Sequence, residues 1–215
     1  MLVSALEQIG STMSIPDPVT TATLESDALY DLCLALRTGA APQTNDVHLS
    51  DHSLLVITGA NNGGKSTLLR ALGVAQLLMQ SGLPVPADRY ASHPVGQLFT
   101  HWAREEDEEL VHGKFDEELD RMQQIIERLR PGDLVLGNES FSSTNEAEGS
   151  EILLEVTRAL IGGGVHVYAV THLYDFASSV QDDPKLDATF LRAPRSDTGE
   201  RTFRIEPGPP LATSF

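Results

Sequence analysis

One cysteine, one tryptophan and few positive charges distinguish this 215-residue chain before any motif does. The lone Cys33 can close no internal disulfide and fits a reducing compartment. Only 15 Lys and Arg stand against 31 Asp and Glu, a formal net charge of -16. That balance excludes a cationic surface gripping a nucleic-acid backbone, which needs clustered Lys and Arg. No apolar run approaches the ~20 residues that cross a bilayer, so no membrane association is expected. The start lacks the basic and apolar blocks of a secretory leader. What is present suffices for a core: 40% of the residues are hydrophobic, too many for a disordered acidic chain. The expectation is a soluble, cytoplasmic protein of about one domain.

Residues 1–26, rich in Ser, Thr and Pro, read as a flexible arm or linker stub, and 27–215 as the folded domain. Residues 28–36 fit a strand or a short helix. Leu54 to Thr58 is an apolar, β-branched run followed at once by glycines, the pattern of a buried parallel strand. Helical spacing covers Ser66–Gln80, Phe115–Arg130 and Ile152–Ile161, with short apolar strands at Leu134–Leu136 and Val165–Val170. Strands alternating with helices predict an α/β fold, a mostly parallel sheet flanked by helices. The acidic run Glu105–Glu109 reads as a solvated loop.

The chemistry concentrates at Gly59-Ala60-Asn61-Asn62-Gly63-Gly64-Lys65-Ser66, which fits G-x-x-x-x-G-K-[ST] between a strand and a helix. Glycines let backbone N–H groups turn around phosphate oxygens, and the helix beginning near Lys65 adds its positive end. Lys65 is expected to reach β- and γ-phosphate oxygens and Ser66 to ligate Mg²⁺. Hydrolysis also needs a carboxylate at a neighbouring strand end. Asn138-Glu139 follows Leu134-Val135-Leu136-Gly137, making Glu139 the candidate general base. Asn138 stands where an Asp would support Mg²⁺; its amide brings no negative charge. Ser143, Thr144 and Asn145 precede a helix and suit capping. His172 follows Val167-Tyr168-Ala169-Val170-Thr171 at the carboxyl end of a third apolar strand, where a γ-phosphate contact and a surface capping role are both open.

These residues carry a family resemblance. Thr58 to Thr67 resembles the phosphate loop of the MutS family of DNA mismatch-repair ATPases, T-G-P-N-x-G-G-K-S-T. Val85-Pro86-Ala87, Gly113-Lys114-Phe115, Glu118-Leu119, Asn138-Glu139, Ser143-Thr144-Asn145, Gly149 and Thr171-His172 follow in the family's order. The resemblance spans roughly residues 45–180. It implies a P-loop NTPase of the ABC-like type that binds ATP and Mg²⁺ and forms a head-to-tail homodimer through its ATPase face. Gly59, Asn61, Asn62, Gly63, Gly64, Lys65, Ser66 and Thr67 would then cradle ATP. Glu139 and His172 would be catalytic, Ser66 and Asn138 would face the metal, and Ser143, Thr144 and Asn145 would act in trans on the partner's ATP.

The chain departs from the family in having Asn138 for Asp and Phe141-Ser142-Ser143 where the family has Gly-Arg-Gly before its Thr. No aromatic near residues 40–46 offers adenine stacking; Tyr30 is a remote candidate. The end at Ala212 to Phe215 reads as a cut within the family's dimer region, and the roughly 55 residues before the phosphate loop leave no room for the family's mismatch-reading regions, so DNA contact is expected only through regions absent from this chain. The alternatives are a nucleotide-binding switch with weak or no hydrolysis, favoured by Asn138, and a transporter-type ABC ATPase. The latter predicts an L-S-G-G-Q-like signature before the second strand, and none is present.

Overall fold

The computed structural model describes residues 6–21, 23–49, 53–102, 113–194 and 202–210. In chain order the strands are β1 (Asp17–Pro18), β2 (Leu24–Leu29), β3 (Asn45–Leu49), β4 (Leu54–Gly59), β5 (Arg89–Ser92), β6 (Leu98–Trp102), β7 (Leu134–Asn138), β8 (His166–Val170), β9 (Ala188–Ala193) and β10 (Glu206–Pro207). The helices are α1 (Leu32–Thr38), α2 (Lys65–Gln80), α3 (Lys114–Ile126), α4 (Glu146–Gly162) and α5 (Tyr174–Asp182).

The main sheet runs β10-β9-β4-β8-β7-β6, parallel throughout except for the antiparallel edge β10. Its strands are apolar on both faces, so alternate residues feed two cores. Leu55, Ile57, Leu134, Leu136, Tyr168 and Val170 meet Leu68, Leu69 and Leu72 of α2. Leu54, Val56, Val135, Val167 and Ala169 meet Met122, Leu153, Leu160 and Phe176 from α3, α4 and α5. The chain leaves β4 through α2 on one face and leaves β8 through α5 on the other, bound for β9 on the far side of β4. Such a reversal opens a crevice at the strands' carboxyl ends, the usual ligand position in open α/β sheets. The expected α/β architecture is therefore present.

A second sheet, β1-β5-β2-β3, mostly antiparallel, shares the core on the α2 face through Leu24, Leu29, Val47, Leu49 and Tyr90. The sequence pattern did not predict it. Its strands are short, half-buried and charged (Leu24-Glu25-Ser26-Asp27-Ala28-Leu29), and they pair at long range. It draws in the stretch expected as an arm. Leu6 is buried beside Tyr30, Leu32 and Ala35, Ser14 bridges to Val85, and β1 pairs with β5. Residues 28–36 divide between a strand and a helix because the Asp31 side chain accepts the Leu34 N–H and caps α1. The run Glu105–Glu109 lies outside the described residues.

Candidate functional site

The phosphate-loop sequence folds between β4 and α2 as expected, but its glycines answer to two demands. Gly59 has φ +113°, and a Cβ there would lie 2.5 Å from the Ala193 carbonyl oxygen. A Cβ on Gly63 would lie 2.6 Å from the Ala193 Cβ. Both glycines thus let the loop lie against the end of β9, a packing role beside any phosphate contact. Gly64, at φ +92°, would bring a Cβ only into ordinary contact with Phe203, at 3.5 Å or more, and starts α2 without a side-chain cap, leaving the first N–H groups of the helix uncapped by any side chain.

Lys65 is 4% exposed and its Nζ donates to the Gly59 and Ala60 carbonyls at 2.6 and 3.2 Å. Burial lowers its pKa, with Glu139 pulling the other way. Glu139 Oε1 lies 3.9 Å from Lys65 Nζ. The other oxygen, Oε2, accepts the His172 backbone N–H at 3.0 Å and pairs with His172 Nδ1 at 2.7 Å. That hydrogen bond raises the His172 pKa; burial and Lys65 oppose it, and Glu146 adds to it. Lys65, Glu139 and His172, far apart in the chain, therefore converge at the ends of β4, β7 and β8. Asn138 is buried, with Oδ1 lacking any partner.

Ser143, Thr144 and Asn145 lie one turn further on, and each is engaged within the chain. Ser143 Oγ donates to Glu118 Oε2 at 3.1 Å. Thr144 Oγ1 donates to Glu148. Asn145 caps α4, accepting the Glu148 N–H at 3.0 Å and donating to Glu148 Oε2. The capping reading holds for Asn145.

A cavity of about 760 Å³ is lined by residues 61–67 of the loop and by Glu139. Sequence reasoning missed the rest of its wall: Leu34, Gln43, Asn45 and Phe203. Phe203, at φ +54° and half exposed, carries its main chain over Gly64. Next to it, Ile205 N–H donates to Asn45 Oδ1 at 2.7 Å. No periodicity marks Phe203, which lies in a polar stretch far from the loop. Tyr30 does not reach the cavity: it is buried, and its hydroxyl donates to the Thr12 carbonyl.

The site fits a Mg²⁺–nucleotide. The cavity has room for one, the helix N-terminus is open, and the unpartnered Asn138 oxygen lies at the end of the strand beside Glu139. The family model described as MutS domain V matches residues 55–206. Similar proteins include the endonuclease MutS2 of Lacticaseibacillus casei (strain BL23), 30% identical over 175 residues, covering 77% of this chain and 21% of that protein. The endonuclease MutS2 of Streptococcus uberis is 32% identical over 133 residues, covering 61% of this chain and 17% of that protein. That of Streptococcus pyogenes serotype M5 is 34% identical over 134 residues, with the same coverages. The chain spans about a fifth of the length of these relatives.

Proposed function

This chain belongs to the MutS family through its domain V, and from that premise we propose that it binds and hydrolyses ATP. The observation that carries the reading is that Lys65 and Glu139 line one cavity at the phosphate loop, with His172 bonded to Glu139 behind it. Lys65 satisfies its charge on two loop carbonyls and would exchange them for β- and γ-phosphate oxygens. The loop amides and the N-terminus of α2 hold negative charge. Ser66 and Asn138 would hold Mg²⁺, which supplies neutralisation of charge on the phosphate oxygens. Glu139 takes a proton from the attacking water, and His172, bonded to Glu139, steers that carboxylate and faces the γ-phosphate. Leu34 and Phe203 offer apolar faces to the base, with the Gln43 and Asn45 amides at its edge.

On this reading two copies dimerise across the ATPase face, with Ser143, Thr144 and Asn145 reaching the partner's nucleotide. That would require Ser143 to exchange Glu118 for a phosphate. ATP binding would close the dimer and hydrolysis would release it, moving DNA-handling regions outside this chain in the cytoplasm. A second reading, a switch that holds ATP and turns it over slowly, rests on the neutral Asn138.

ATP binding and turnover of the chain and two variants test the proposal. Lys65→Ala should weaken ATP binding by ~100-fold or more. Glu139→Gln should keep binding while turnover falls ~10²–10⁴-fold, the range for loss of a general base. Unchanged ATP affinity in Lys65→Ala would remove the phosphate-loop assignment, and unchanged turnover in Glu139→Gln would remove the base.

A further inference from the structure

The turn from Glu139 to Ser143 is strained and held from outside. Glu139 and Phe141 both have left-handed backbones, φ +55° and +60°, without being glycine or asparagine. Such conformations persist only where the surroundings over-determine them. Two elements supply the constraint. From β6, the buried His101 places Nδ1 2.7 Å from Ser140 Oγ, while its Nε2 lies 3.1 Å from the Glu118 backbone carbonyl. A ring nitrogen facing a carbonyl must carry the proton, so Nδ1 accepts from the Ser140 hydroxyl. From α3, the Glu118 carboxylate, 4% exposed, accepts the Ser143 hydroxyl at 3.1 Å, with the amides of Phe141 and Ser143 close enough to favour its charged form. The Phe141 ring, fully buried, lies 5.6 Å from the His101 ring and 6.5 Å from the Phe115 ring.

We propose that Glu118 is a positioning residue for Glu139, its buried carboxylate holding the turn from α3 so that the left-handed backbone aims Glu139 at Lys65 and His172. This rests on the reading of Glu139 as the hydrolytic carboxylate. None of the phosphate-loop residues touches Glu118, so its removal alters the aim of the base and leaves the nucleotide cradle alone. The same carboxylate also holds the Ser143 hydroxyl, which joins the aim of Glu139 to the state of the loop proposed to reach a partner.

The full chain carrying Glu118→Gln tests this, with Glu118→Asp as a second variant. Glutamine keeps the shape but turns an NH₂ toward donors that need an acceptor. The expected result is a fall in kcat of ~10-fold or more with KM for ATP within ~2-fold, since misplacing a reacting group costs turnover and not ground-state binding. Amide hydrogen exchange at Phe141 and Ser143 should quicken ~10-fold while β4 and α2 keep their protection. Glu118→Asp, which retains an acceptor, should recover part of kcat. Unchanged kcat, or loss of protection throughout the chain with KM moving alongside kcat, would overturn the proposal. If the unsubstituted chain turned over no ATP, the reading of Glu139 would fall by itself. Exchange at Phe141 and Ser143 would still decide whether Glu118 holds the turn, and unchanged rates there would overturn it.

Discussion

The phosphate loop and the turn after β7 sit at the carboxyl ends of strands that flank β8, and they reach unusual backbone shapes by opposite means. The loop uses residues suited to its shape: Gly59 and Gly64 at positive φ, with Asn62 at +59°, a conformation asparagine tolerates. Among the described residues its main side-chain anchor is Lys65, bonded to the loop's own carbonyls. The turn instead uses Glu139 and Phe141 at positive φ and borrows its stability from His101 on β6, Glu118 on α3 and His172 just beyond β8. One shape is written locally, and the other is imposed by the tertiary structure. The loop can therefore be repacked only through its glycines, whereas the turn can be loosened from a distance.

The sharpest way to break the local side of this comparison is at Gly59. Gly59→Ala should destabilise the chain by about 2–4 kcal/mol, combining a positive φ with a Cβ driven into the Ala193 backbone. Gly82→Ala, at φ +69° with nothing within 4 Å, isolates the backbone contribution and should cost only about 1 kcal/mol. Urea unfolding of the two variants measures the difference. Equal losses would assign the whole cost to φ and none to contact with β9.

At the other strand end, Asn138→Asp should raise Mg²⁺-dependent ATP turnover by about 5- to 150-fold, the equivalent of about 1–3 kcal/mol for a charged hydrogen bond. Without Mg²⁺, the same variant buries an unpaired carboxylate and should melt lower than the unsubstituted chain. Turnover that stays level or drops would favour a site adapted to the amide, and with it the slow-switch reading.

The smallest expected effect is on pH dependence. Burial lowers the pKa of His101, with the Glu118 carbonyl raising it and Arg121 lowering it; burial and then His93 lower that of His166. For both, the unfolded chain takes up protons first as pH falls below ~6.5, so stability is full above that value and declines below it. His172 has the opposite sign. Its pKa is raised by Glu139, so its contribution is present below ~6.5 and is lost as pH rises through the folded value. The urea midpoint should therefore drop between pH 6.5 and 5.5. His172→Ala should remove a stability gain that appears on acidification above pH 6.5. A midpoint flat across pH 5.5–6.5 would contradict the neutral assignment of His101.

The contrast between the two segments also explains what could be read from the sequence. The strand–glycine–helix pattern around Lys65 rests on neighbours in the chain, and both the loop and α2 lie where the spacing puts them. Apolar runs identified β4, β7 and β8, and with them the positions of Glu139 and His172 at strand ends. The second sheet, the pocket wall at Leu34, Gln43, Asn45 and Phe203, and the grip of His101 and Glu118 depend on contacts between distant residues. Glu118 looked like one acid among many, since residues 104–120 hold nine of the 31 acidic groups. Only its burial and its bond to the Ser143 hydroxyl separate it from its neighbours. The strand β6 was missed for a similar reason: Leu98-Phe99-Thr100-His101-Trp102 hides a buried histidine on what reads as a short mixed segment.

The hydrogen bond from Ile205 to Asn45 joins residues 160 positions apart and fastens Phe203 over the start of α2. During synthesis the Phe203 side of the pocket leaves the ribosome more than 130 residues after the phosphate loop. A nascent chain can thus present the loop amides long before it can enclose a base. Completion of the pocket therefore waits on Phe203, at an interval set by translation.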